Sequence, residues 1–220
     1  MSVAFPYPVK IVSSTPSIEG LRYADFTNID GETFAKPSLN GFWRISMSVI
    51  ATDMQEKLAL SAFRTAMSAA GATCIVPVCT QIRPNDGNGR MLADNGVSQA
   101  YTFDHTGFIG DPFDGFTLRS SASHRDSYVD ITKPKLSHLW AGHYITLDDR
   151  LYQVVSVSAI NESETAVRAS VVPNIRGNHD SGKTVVVDQL RLKCRMESGD
   201  SIGATTSPIA SASLSFIEAF

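Results

Sequence analysis

The sequence predicts a mainly β protein, a β-sandwich or barrel with one covering helix. Three observations predict this class. Short apolar runs rich in β-branched residues recur along the 220 residues, Asn, Asp and Gly turns separate them, and one stretch shows convincing helical spacing. With 43% hydrophobic residues, the chain can bury a sizeable core, in one large or two small domains.

Composition excludes several classes of protein. The formal net charge is −3 and the pI about 5.9, so no specific nucleic-acid binding is expected. Cys74, Cys79 and Cys194 contain no C-x-x-C pair, which indicates neither disulfides nor zinc and fits a reducing cytoplasm. The chain has neither a secretory leader pattern nor an apolar run of about 18 residues, so we expect cytoplasmic assembly and no membrane segment.

The first fifty residues predict an extended arm and then a strand. Residues 1–20 contain three prolines and are expected to be weakly structured, whereas Leu21–Ile29 is expected to form an edge strand. Phe42–Ile50 alternates apolar and polar side chains, which is typical of a half-buried strand. Its predicted buried face consists of Trp43, Ile45, Met47 and Val49.

The predicted helix spans Thr52–Ala70. Thr52 or Asp53 is expected to cap it, Thr52 and Gln55 resemble a capping box, and Gly71 suits a left-handed end. Its apolar stripe, which predicts core packing, comprises Ala59, Ala62, Phe63, Ala66, Met67 and Ala70.

The middle of the chain predicts short strands around a long loop. Thr73–Cys79 is expected to be a strand, with Pro77 near an edge or a bulge. Residues 80–115 are dense in Asn, Asp and Gly and predict a loop with one strand at Gln99–Phe103. Phe116–Ile131 predicts two short strands around a turn.

The most regular stretch is Gly142–Met196. It contains three β-like runs, His143–Val157, Ala166–Val172 and Thr184–Lys193. The chain then closes with an alternating strand at Ala212–Phe220. In that strand, Leu214, Phe216 and Glu218 are expected on one face.

Gly177–Thr184 fits the phosphate-binding pattern G-x-x-x-x-G-K-[ST]. Such a loop requires a following helix whose N–H groups face the phosphates. Thr184–Asp188 is β-branched and predicts a strand instead. We therefore interpret the loop as a connection between strands with Lys183 pointing to water, and nucleotide binding remains an alternative.

Other site-like patterns lack a complete constellation. Gly199–Gly203 fits G-x-S-x-G, but every histidine precedes Ser201 and no helical pattern follows. The acidic loop residues Asp104, Asp111 and Asp114 do not have the spacing of an EF-hand and predict a solvated loop. His105 and His124 have no ligand-spaced partners and predict surface positions. We therefore predict no enzyme and no catalytic, cofactor-binding or metal residues.

The remaining side chains bear on two binding functions, of nucleic acid and of carbohydrate. The cations do not form a dense basic run: Arg119, Arg125, Lys133 and Lys135. The aromatic residues of the long loop offer a platform for a carbohydrate-binding β-sandwich module, which is a second alternative: Tyr101, Phe103, Phe108, Phe113 and Phe116.

Several segments of the chain follow one another in a distinctive order and spacing. They include the strand FWRISMSV and the closing SFIEAF. The other positions of the pattern are Gly142, Ile145, Leu147, Arg150, Leu151, Tyr152, Val154, Val171, Pro173, Ile175, Arg176, Val185–Val187 and Cys194–Met196. In these segments, which cover residues 40–79 and 118–220, the chain resembles the distal-tail (tail-hub) minor tail proteins of phages. It departs from them at His143, where an acidic residue is typical, and in the longer loop 80–115.

This resemblance implies a structural virion protein in the tail hub or baseplate, assembled in the host cytoplasm. It implies a homo-oligomeric ring, commonly a hexamer, that joins the tail tube protein to tail-tip, fibre or receptor-binding proteins for host attachment. It also implies a tail-hub β-sandwich core of residues 1–117 and 186–220, with the helix at 53–70. Residues 118–185 would form a small inserted β-domain.

Overall fold

The computed structural model describes residues 2–6, 9–23, 25–34, 36, 38, 41–78, 85–86, 115–134, 137–161, 165–199 and 209–220. Within these ranges the protein is mainly β with one helix, α1 (Met54–Met67), which confirms the predicted fold class. The strands are β1 Ser2–Val3, β2 Lys10–Glu19, β3 Phe26–Thr27, β4 Thr33–Phe34, β5 Phe42–Ala51, β6 Thr73–Pro77, β7 Asn85–Asp86, β8 Thr117–Leu118, β9 Tyr128–Thr132, β10 Ser137–His138, β11 Tyr144–Leu147, β12 Arg150–Ala159, β13 Ala166–Val172, β14 Arg191–Gly199 and β15 Ala210–Glu218.

The chain divides into two compact units. Unit 1 comprises Met1–Leu21, Phe42–Thr80 and Arg191–Phe220, and unit 2 comprises Arg22–Gly41 and Gln81–Leu190. The insert expected at 118–185 falls entirely within unit 2, which also takes in 22–41, 81–117 and 186–190. No helix of the described residues is long and apolar enough to cross a membrane.

Unit 1 is built on a six-stranded sheet in the order β1-β6-β14-β15-β5-β2. All its pairs are antiparallel except β1 with β6. The predicted inward face of β5 is fully buried, from Trp43 to Ala51 at every second residue. Helix α1 covers that face, and its Phe63 ring lies 6.4 Å from the Phe216 ring of β15.

The N-terminal arm prediction is wrong. Lys10–Glu19 is a ten-residue edge strand that pairs with β5 along its length. Its serines and Pro16 hide the apolar alternation, and an edge position tolerates a proline because only one side of the strand is hydrogen-bonded. The edge strand expected at Leu21–Ile29 is also wrong, since only Phe26–Thr27 is a strand there, paired with Thr33–Phe34.

Helix α1 is shorter than predicted, and its buried face differs from the predicted apolar stripe. Its capping box joins Asp53 and Glu56, not Thr52 and Gln55. Its buried residues are Glu56, Leu60, Phe63 and Met67, whereas Ala62 and Ala70 of the predicted stripe are exposed. Large side chains fill the core face, so the small alanines do not define it. Gly71 has the expected positive φ of 73° but lies beyond the cap residue Ser68.

Unit 2 is built on a five-stranded antiparallel sheet in the order β11-β12-β13-β9-β8. Its core packs inward-facing strand residues against Phe116, Ile175, Val185 and Val187 from the connecting segments. The predicted strand 143–157 divides into β11 and β12, because Asp148 and Asp149 take positive φ values of 50° and 58° in a two-residue turn.

The remaining strand predictions have mixed outcomes. Ala166–Val172 is confirmed as β13, and the short strands expected within 73–79, 116–131 and 212–220 are present. The run Thr184–Lys193 is wrong as a single strand, because Thr184 and Val186 form only isolated bridges and β14 begins at Arg191. The strand expected at Gln99–Phe103 lies outside the described residues.

Candidate functional site

The loop that fits the phosphate-binding pattern runs antiparallel to residues 116–126. His179 bridges Ala122, and Thr184 bridges Thr117. The main chain continues this pairing where Arg125 N donates to Ile175 O and Val185 N donates to Phe116 O. The loop is thus one side of an irregular ribbon in unit 2, and residues 184–199 that follow it contain no helix.

Three backbone N–H groups of this loop already have protein acceptors. Gly177 N donates to His124 Nδ1 at 3.3 Å, His179 N to Ala122 O at 2.8 Å and Gly182 N to Leu118 O at 2.7 Å. A phosphate cradle needs such N–H groups converging on one empty point. Here they point into the ribbon, so the letters of the motif are present without its geometry.

Lys183 does not point freely into water as the sequence predicted. Its ammonium donates to Asp148 Oδ2, at the β11–β12 turn. The same carboxylate oxygen lies 3.0 Å from Nδ1 of His179, whose side chain is only 3% exposed. Spacing could not reveal this cluster, because its members are 31 and 35 residues apart and meet only through the ribbon.

The electrostatics of the Asp148–His179–Lys183 cluster favour an ionised carboxylate. Partial burial by itself would raise the pKa of Asp148, but the Lys183 ammonium and the His179 ring outweigh it and lower that pKa below its usual value. His179 Nε2 also lies 3.1 Å from the Arg176 carbonyl oxygen. Both ring nitrogens are therefore engaged, which fixes the ring as a bracing group between two loops.

His143 is a second buried histidine of unit 2 with a different role. Its Nδ1 accepts a hydrogen bond from Trp140 N at 3.0 Å, which closes the turn before β11. Burial lowers the pKa of His143, and this favours the neutral ring that such an acceptor requires. The sequence alone offered no sign of this role, which depends on a three-residue turn.

Several predicted site residues lie outside the described residues. These are the acidic loop residues Asp104, Asp111 and Asp114, together with His105 and Ser201. Among the residues that the structure does describe, no three His, Cys, Asp or Glu side chains are placed to hold a metal ion.

The burial of two described residues tests the proposed aromatic platform and the proposed cationic surface. Phe116 is 0% exposed in the core of unit 2, so it cannot serve as part of a sugar-binding platform, and that prediction is wrong for this residue. Lys133 is 4% exposed, which removes it from any basic surface. His124 is exposed as expected, and its ring accepts from Gly177 N.

The outer face of the unit 1 sheet is lined by hydroxyl side chains. The strand register aligns Ser13, Ser48 and Ser213 in one row across three strands. A second row carries Thr15, Ser46 and Ser215. We call these six residues the hydroxyl face. It lies opposite the buried residues of β5, and sequence alternation indicated its polarity in β5 and β15 but not in β2.

No protein-family model matches the chain, and no curated protein matches it either.

Proposed function

We propose that the protein is a non-enzymatic virion component, a subunit of a homo-oligomeric ring at the distal end of a phage tail. In this role the ring continues the tail tube and holds the tail-tip, fibre or receptor-binding proteins. The proposal is supported by the order and spacing of the tail-hub-like segments in the sequence and by the mainly β fold with one helix.

The observation that carries the proposal is that one face and one edge strand of the unit 1 sheet are exposed. One face is covered by α1, but the hydroxyl face is exposed, and β2 ends the described sheet as a ten-residue edge strand. A long strand with an unpaired edge readily pairs with another chain. In a ring of repeated subunits each copy binds the next through two different patches, and the β2 edge is suited to be one of them.

Among the described residues, the loop that fits the phosphate-binding pattern is not arranged to hold a phosphate. The Lys183 ammonium pairs with Asp148, and three loop N–H groups have acceptors in the ribbon. His179 is held at both ring nitrogens. The Asp148–His179–Lys183 cluster is therefore best understood as a brace that holds the β11–β12 turn against the 177–184 loop.

Native mass spectrometry and negative-stain electron microscopy of the purified full chain test the proposal. A discrete oligomer that images as a ring is expected. A protein that stays monomeric over the whole accessible concentration range contradicts the proposal.

A matched pair of variants tests the contribution of the β2 edge to the ring. Val12 and Val155 are 60% and 55% exposed, and each lies at a bulge of its strand. Val12→Lys places a charge on the open edge strand, whereas Val155→Lys places it on β12, which has a neighbour on both sides. We expect Val12→Lys to dissociate the ring and Val155→Lys to leave it intact. Equal effects would argue against the β2 edge as an interface.

A further inference from the structure

The β3–β4 hairpin presents an isolated apolar side chain. Its ladder pairs Phe26 with Phe34 and Thr27 with Thr33, and Asn28 N donates to Glu32 O at the tip. Ile29 at this tip is 101% exposed, so it makes no apolar contact with the described residues of its own unit. Burial of this side chain against another apolar surface is therefore favourable, because it removes the whole of the isoleucine side chain from water.

A groove in unit 1 presents apolar side chains on which such a residue can pack. It lies between α1 and the paired ends of β14 and β15, with a volume of about 550 Å³. Leu60, Met67, Met196 and Leu214 supply its apolar surface. Gly199 packs closely on one of these side chains, since a Cβ there would come within 2.9 Å of Leu214. Two methionines make such a surface adaptable to an incoming aliphatic side chain.

The charged residues that line the groove indicate what kind of apolar segment it can bind. Arg64 lines the groove and makes no ion pair with any described residue. The other charged lining residue, Glu197, already accepts from Arg44 Nη2 at 2.9 Å and from Ser215 Oγ at 3.3 Å. An occupant that carries a carboxylate beside its apolar side chain therefore satisfies Arg64 without displacing an existing contact.

The hairpin tip carries such carboxylates. Asp30 directly follows Ile29, Glu32 lies two residues further on, and both are exposed. Neither forms an ion pair within the described part of the chain. The tip thus combines an aliphatic side chain with two acidic groups. The groove combines aliphatic and hydroxyl side chains with Arg64 and with Glu197, whose carboxylate already has partners.

We propose that the Ile29 hairpin of one copy docks into the Arg64 groove of the next copy. Ile29 then packs on the methionine and leucine side chains, and a carboxylate of Asp30 or Glu32 pairs with the Arg64 guanidinium. The two patches differ, so the contact is head-to-tail and repeats from copy to copy. This inference rests on the proposed function, since it assigns one of the contacts that build the ring.

Two variants and two matched controls test the docking by native mass spectrometry. Ile29→Ser and Arg64→Glu should each weaken association by about 10- to 100-fold per contact, the loss expected when one aliphatic burial or one charge pair is removed. Leu58→Ser removes an aliphatic side chain of 63% exposure from α1 outside the groove, and Arg119→Glu reverses an exposed charge beside β8 in unit 2. Both controls should assemble as the wild type does.

Disulfide trapping detects the contact between two copies whether or not a stable ring forms. Full chains carrying Ile29→Cys are mixed with full chains carrying Ser61→Cys at the groove rim, both with Cys79→Ser, under oxidised glutathione. A covalent heterodimer is expected, and replacement of the Ser61→Cys partner by a Ser211→Cys partner should abolish it.

The outcomes separate the two proposals. Intact rings in both Ile29→Ser and Arg64→Glu, with no trapping, overturn the docking and leave the ring standing. Trapping without any stable oligomer supports the docking and contradicts the ring. A wild-type protein that neither oligomerises nor traps overturns both.

Discussion

Asp148→Asn is the substitution that most directly probes the Asp148–His179–Lys183 cluster. Asp148 has a φ of 50°, a conformation that asparagine tolerates as well as aspartate does. The variant therefore removes the charge and leaves the turn. Asp149, with a φ of 58° in the same turn and no ion pair among the described residues, supplies the matched control Asp149→Asn.

The magnitude follows from the two contacts of the carboxylate. The pair with Lys183 is exposed at both ends, 39% and 47%, and such pairs contribute about 0.2–1 kcal/mol. The bond to the buried His179 ring is stronger with a carboxylate than with an amide, by about 1 kcal/mol. We expect Asp148→Asn to lower the free energy of unfolding by about 1–2 kcal/mol, and Asp149→Asn to change it by less than about 0.5 kcal/mol.

Dependence on pH adds a second signature. The pKa of Asp148 is lowered in the folded protein, so its contribution is complete above the unfolded value of about 4. That contribution is lost as the pH falls through the folded pKa. The difference between wild type and Asp148→Asn should therefore be largest near neutral pH and shrink in acid, while the Asp149→Asn difference stays flat.

Urea unfolding at low salt, followed by tryptophan fluorescence in a Trp43→Phe background, measures these differences through Trp140 of unit 2. Equal stability of Asp148→Asn and Asp149→Asn at pH 7 would refute the bracing role. Calorimetry with ATP and magnesium completes the test, comparing wild type with Lys183→Ala. Tight binding that the variant loses would show that Lys183 serves a nucleotide and that the reasoning from the ribbon is mistaken.

Three further predictions concern unit 1. Phe63→Ala should destabilise this unit by about 3–5 kcal/mol in thermal unfolding, because it opens a cavity beside Phe216, and a loss below about 1 kcal/mol would contradict the packing. Asp53→Ala should lower stability by about 0.5–2 kcal/mol and reduce the helical circular dichroism signal, since it removes the N-cap of α1; an unchanged signal would count against the cap. Burial raises the pKa of Cys74 to about 12 and also raises that of Cys194, so both thiols should resist a thiol reagent at pH 8 until the protein unfolds, and rapid labelling of either would contradict their burial.

Local patterns predicted some elements well and others poorly. The strand β5 was predicted to within one residue, because every second side chain from Trp43 is large and apolar. The strand β2 was missed, because none of its side chains is fully buried, its serines hide the apolar alternation, and its edge position tolerates Pro16. The helix was found, but its capping box was placed one residue early because Thr52 and Asp53 are both good caps.

The sequence by itself determined the mainly β class, the single helical stretch and the absence of a helix after Gly177–Thr184. These features depend on near neighbours, whose spacing and β-branching act over a few residues. Only the tertiary structure decided that Lys183 and His179 meet at Asp148, that serines and Thr15 align across three strands, and that Ile29 stands in water. Those features depend on strand register and chain return over 30 to 200 residues, which local periodicity does not encode.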